Sequence, residues 1–129
     1  MSKPEIPQGY LGAQPKWSEY GLSTVTHNSP EIKVNDTKLE IKIKTTKPVK
    51  VTANLIECGA DKDKEYKELV FTQTQGDTIT LIVLLPAAAF FKFQIYALPV
   101  SDDSKTLLNV YNYLIQATRA PSSPPAPFP

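Results

Sequence analysis

Between Lys38 and Lys44 every second residue is apolar: Leu39, Ile41 and Ile43 alternate with Lys38, Glu40, Lys42 and Lys44. A period of two places the three apolar side chains on one face of an extended chain and the four charges on the other, whereas a helix would scatter both around its surface. The segment is therefore a strand with one face covered. Val49, Val51, Ala53 and Leu55 repeat the pattern against Lys50, Thr52 and Asn54. The break between these runs, Thr45-Thr46-Lys47-Pro48, has turn-forming residues and the length of a hairpin-like reversal.

Four further runs follow the same rule. They are Leu69 with Phe71, then Ile79, Leu81 and Val83 after the turn signal Gln75-Gly76-Asp77, then Phe91, Phe93, Ile95 and Ala97, and finally residues 110–117, where Tyr111, Tyr113 and Ile115 share a face. Short strands near residues 22–25 and 32–34 bring the count to seven or eight. Strand follows strand with no ten-residue amphipathic helix between, which excludes a parallel βαβ design. The expected fold is all-β, an antiparallel immunoglobulin-like β-sandwich of seven or eight strands, with a barrel of the same strands as its competitor. The pair of bridged cysteines around a core tryptophan that marks antibody-type domains is missing.

The chain of 129 residues has the size of one domain. Residues 1–16, with three prolines and little periodicity, read as an extended lead-in, and residues 17–119 as the sandwich. Residues 120–129 hold five prolines and two serines, a composition that forms neither helix nor central strand and favours polyproline geometry. The Pro-x-x-Pro spacings there are those SH3-type grooves recognise, although such tails more commonly serve as linkers.

Composition removes several classes of function. Fourteen Lys and Arg against thirteen Asp and Glu leave a net charge of +1, too little to gather nucleic-acid phosphates. The longest apolar stretch, residues 81–91, is broken by Pro86 and falls short of the roughly 20 residues of a membrane-spanning helix. No apolar stretch follows the basic residue at the N-terminus, so no secretory signal is expected. Cys58 stands alone, which rules out an intrachain disulfide and points to a reducing compartment, hence a cytoplasmic location.

No catalytic residue, cofactor site or metal site is expected. A cysteine nucleophile needs an imidazole beside it, and the chain offers one thiol, Cys58, and one imidazole, His27. Cys58 lies in Glu57-Cys58-Gly59-Ala60 at a strand end, and reads as an ordinary thiol; His27 reads as a turn residue before Asn28-Ser29-Pro30. One Cys and one His cannot supply the four ligands of structural zinc. The acidic run at residues 61–65 lacks the sixth-position glycine and twelfth-position glutamate of a calcium loop, where Tyr66 and Thr72 stand. Lysines 33, 38, 42, 44, 47 and 50 would form an outward basic stripe on neighbouring strands, with solubility as its simplest purpose. Trp17 and Tyr20 are read as anchors of the lead-in on its own domain, and Tyr111 and Tyr113 as core residues with hydroxyls near a rim.

Taken in order, Tyr10-Leu11-Gly12-Ala13-Gln14-Pro15, Tyr20-Gly21-Leu22, Thr26-His27-Asn28-Ser29-Pro30, Leu39-Glu40-Ile41, Leu84-Leu85-Pro86, residues 91–97 and residues 110–115 resemble the immunoglobulin-like module that follows the transglutaminase-like core of kyphoscoliosis peptidase and hillarin proteins. The chain departs from that pattern at Ala87-Ala88-Ala89, where the family commonly carries a glycine-containing turn, and near Tyr111, where a cysteine is frequent. The resemblance implies a β-sandwich accessory module of cytoskeletal or muscle-associated proteins. It implies no peptidase activity, because the family's Cys, His and Asp triad lies in the other domain. The function expected is thus a non-catalytic protein-interaction or scaffolding module with a protein partner, cytoskeletal by resemblance. The alternative is a substrate-positioning or regulatory domain of a transglutaminase-like cysteine peptidase; a carbohydrate-binding sandwich would need coplanar exposed aromatics.

Overall fold

The structure is a computed structural model and describes residues 2–129. Ten strands in two sheets form a β-sandwich of immunoglobulin-like type with almost no helix. In chain order they are β1 (Gly12–Ala13), β2 (Leu22–Thr24), β3 (Glu31–Val34), β4 (Lys38–Thr45), β5 (Val49–Glu57), β6 (Lys64–Glu65), β7 (Val70–Gln75), β8 (Thr78–Leu84), β9 (Phe90–Pro99) and β10 (Leu108–Ala117). A five-residue helix, α1 (Pro15–Glu19), and a 3-10 turn at Lys67–Leu69 are the helical pieces. The seven or eight strands expected from sequence are found, except that the run of Leu69 with Phe71 divides, Leu69 falling buried in the 3-10 turn and Phe71 exposed on β7; β1 and β6 are two-residue segments too short to show a period.

One sheet runs β2-β4-β8-β7 and the other β1-β10-β9-β5-β6, with β3 also on β10. These are the two sheets of a constant-type immunoglobulin domain, four strands against a three-strand centre. Pairing is antiparallel except between β3 and β10, which run parallel from Glu31 beside Leu114 to Val34 beside Ala117. The core lies between the sheets. Ile41 and Ile43 of β4, Leu55 of β5, Ile79, Leu81 and Val83 of β8, and Phe91, Phe93 and Ile95 of β9 are all fully buried. Each such side chain contributes roughly 1.5–3 kcal/mol on leaving water, so apolar packing stabilises the fold without a disulfide.

The segment Thr45-Thr46-Lys47-Pro48 is not a hairpin. It carries the chain from one sheet to the other, because β4 pairs with β2 and β8 whereas β5 pairs with β9 and β6. Both runs alternate toward the same core and so face each other across it. The crossing is held by Thr46 N–H on Gly21 C=O (2.9 Å) and Thr45 N–H on Asp77 C=O (2.9 Å). Gly21 at φ +76° is required here: a Cβ on it would stand 2.0 Å from Thr46 Oγ1.

The lysine stripe is divided by the same crossing. Lys38, Lys42 and Lys44 do line the outer face of β4, but Lys33 and Lys50 belong to the other sheet and Lys47 to the crossing. Lys42 stands 3.9 Å from Glu40 and Lys44 3.5 Å from Asp77, so two of the three β4 lysines have acidic neighbours.

Candidate interaction surface

A sandwich of two open sheets has four edges, and what covers each decides where another chain can pair. The edge of β10 is occupied over most of its length. β1 pairs with Tyr111 and Asn112, and β3 takes over from Leu114 to Ala117, so two segments from the first third of the chain share one strand. Side chains complete the closure. Asn112, 2% exposed, gives its amide to Tyr10 C=O (2.9 Å) and exchanges hydrogen bonds with Asn109, while Trp17 packs on Tyr111 with ring centroids 4.9 Å apart. Trp17 and Tyr20 are buried inward and hold the entering chain on its own domain. On this same side the other sheet ends in β2, only three residues long.

The opposite side is open. β5 ends its sheet and is covered by β6 only at Ile56 and Glu57, leaving residues 49–54 without a neighbour on that edge among the described residues. β7 ends the other sheet and packs beside β5. The two edges differ in protection. β5 is preceded by Pro48 and carries the exposed Lys50, devices that discourage strand addition. Along β7, Thr72, Gln73, Thr74 and Gln75 bear no charge or proline, and the register with β8 runs without a bulge. Phe71 at its start remains 41% exposed.

The proline-rich tail lies at the upper end of this open side. Phe128 N–H donates to Glu68 C=O (2.9 Å), and its ring sits 5.5 Å from that of Phe71. Pro121, Pro124, Pro125 and Pro127 border a cleft of about 450 Å3 whose other wall is Tyr66, Leu69 and Pro86. The sequence marks the tail as proline-rich but does not announce this seat. The available signal was Phe128, a large aromatic in an otherwise small, proline-rich segment.

Cys58 and His27 sit in separate surroundings. The Cys58 N–H bonds Phe90 C=O, and burial, with Asp63 adding to it, pushes the thiol above its ordinary value, so it stays protonated at neutral pH. His27 Nδ1 lies 2.8 Å from Thr26 Oγ1, and burial pushes its imidazole below the usual value. The residue sits in the left-handed region at φ 55°, held by Tyr113, whose hydroxyl donates to His27 C=O at 2.9 Å. Among the described residues no three His, Cys, Asp or Glu side chains are grouped to hold a metal ion. No helix there is long and apolar enough to cross a membrane.

A polar cleft of about 390 Å3 opens on the outer face of β5 and β9 between Asn54, Gln94 and Tyr96. Gln94 is bound on both sides, accepting from Tyr96 O–H and donating to Tyr10 Oη, both at 3.0 Å. Asn54 Oδ1, though buried, has no protein partner among the described residues.

Among solved structures, a chain described under "Structural basis of T cell specificity and activation by the bacterial superantigen toxic shock syndrome toxin-1" is similar at a TM-score of 0.48 and 11% identity, covering 74% of this chain and 97% of that one. No curated protein matches as a relative. The profile of the KY-like, immunoglobulin-like domain family matches residues 4–129. The chain belongs to that family.

Proposed function

We propose that this immunoglobulin-like module binds another protein through its open side and performs no catalysis of its own. The observation that carries the reading is the outer edge of β7, an unguarded row of backbone donors and acceptors opposite a side that the chain has closed with its own β1 and β3. Strand addition to such an edge gives affinity through the main chain and selectivity through alternate side chains. A protonated Cys58 with no imidazole beside it fits a module that leaves chemistry to other domains. The resemblance to kyphoscoliosis peptidase and hillarin proteins makes a cytoskeletal partner in the cytoplasm the natural setting, with residues 17–119, closed by β1 of the lead-in, as the working sandwich.

The test is site-specific photocrosslinking in a cytoskeletal extract, with the probe at Gln73 on β7 or at Glu40 on the outer face of β4. Discrete protein adducts at Gln73 and none at Glu40 are expected. Equal labelling at both positions, or none at either, would contradict the assignment.

A further inference from the structure

The tail's seat says what chemistry this part of the open side accepts. Pro125 and Phe128 are half-buried while Ala126 and Pro127 between them are exposed, and a spacing of three is the repeat of a polyproline helix, which turns one face in three toward a support. Proline has no N–H, so a segment of this composition cannot add to β7 as a full strand. It docks instead by side-chain contact and one main-chain bond. The ring of Phe128 rests on Phe71, and its N–H reaches Glu68 C=O. The prolines face Tyr66 and Leu69 across the cleft they share, and the Lys64 ammonium stands 4.9 Å over the Tyr66 ring, holding that ring at the cleft wall. An aromatic-walled groove against a preformed extended helix is a recurring mode of peptide recognition, because little conformational entropy is lost on docking.

We infer that the surface carrying Tyr66, Leu69 and Phe71 is a docking seat for a proline-rich extended segment bearing an aromatic residue three places after a proline, and that the chain's own tail occupies it in cis. The inference rests on the interaction-module reading and specifies the partner's chemistry. A competing segment of the same type must displace the tail, so the linked tail acts as a built-in competitor at high effective concentration.

The test uses the full chain and a synthetic peptide of residues 120–129, followed by amide resonances. In the wild type the Phe128 amide should exchange with solvent at least about tenfold more slowly than in the free peptide. Phe128→Ala should free the tail, and added peptide should then shift the resonances of Tyr66, Leu69 and Phe71. Wild type should need about tenfold more peptide for the same shift, since its own tail competes. Phe71→Ser, at a position 41% exposed and outside the core, should keep the fold and lose both effects. An unprotected Phe128 amide in the wild type, or no shift in the Phe128→Ala chain, overturns the seat. Adducts at Gln73 alongside such a failure would leave the interaction module standing and remove only this partner chemistry. A peptide-induced shift that persists unchanged in Phe71→Ser overturns the assignment of the site.

Discussion

Tyr113 shows how far a single residue can be read from sequence. Its place beside Tyr111 on one face of a strand marks it as core, and it is fully buried. Its hydroxyl is not at a rim, however, but meets His27 C=O, 86 positions away in sequence. That bond and the left-handed backbone of His27 are one long-range event, invisible to local pattern. Tyr113→Phe should therefore keep the fold but cost about 1–3 kcal/mol in chemical denaturation, because a half-buried carbonyl loses its donor. A change within experimental error would remove the bond from the account. The sequence reads Cys58 as an ordinary thiol at a strand end, and the burial that pushes it above its ordinary value gives that reading a measurable form. The pH profile of its alkylation should have a midpoint above that of an ordinary exposed thiol and be unmoved by His27→Ala. A midpoint below neutrality that the substitution abolishes would mean a reactive pair.

At the scale of the element, alternation was sufficient for β4, where buried and exposed residues alternate without exception across Lys38–Thr45. It was insufficient for β10, whose residues 110–115 are buried on both faces because Tyr10 and the lead-in cover the side that would otherwise meet water. Periodicity reports which face is apolar and is silent on what a distant segment will cover. It is equally silent on sheet membership, which is why the β4 to β5 connection read as a hairpin: two adjacent alternating runs look alike whether they pair side by side or face each other across a core. Ile41 is central to that core and 0% exposed. Ile41→Asp places a carboxylate there without a partner, and loss of the cooperative thermal transition is expected. A melt like that of the wild type would refute the placement of β4.

For the whole molecule the organising asymmetry is between a closed side and an open one. The closed side depends on segments 80 to 100 residues apart in sequence, Gly12–Ala13 and Glu31–Val34 on β10, and the first of these is too short to announce itself as a strand. The open side follows from what β5 and β7 lack as neighbours, so neither half of the asymmetry was readable from any one run of residues. The alternating runs did carry the coarser frame, an all-β sandwich of two sheets. Hydrogen exchange resolved by residue tests the asymmetry most directly. Amides of β10 should be protected across Val110 to Ala117, while about every second amide in residues 49–54 and 70–75 exchanges within minutes, as unpaired edge donors do. Uniform protection of β7 equal to that of β10 would mean that the edge is covered, and would contradict an open, partner-accepting side.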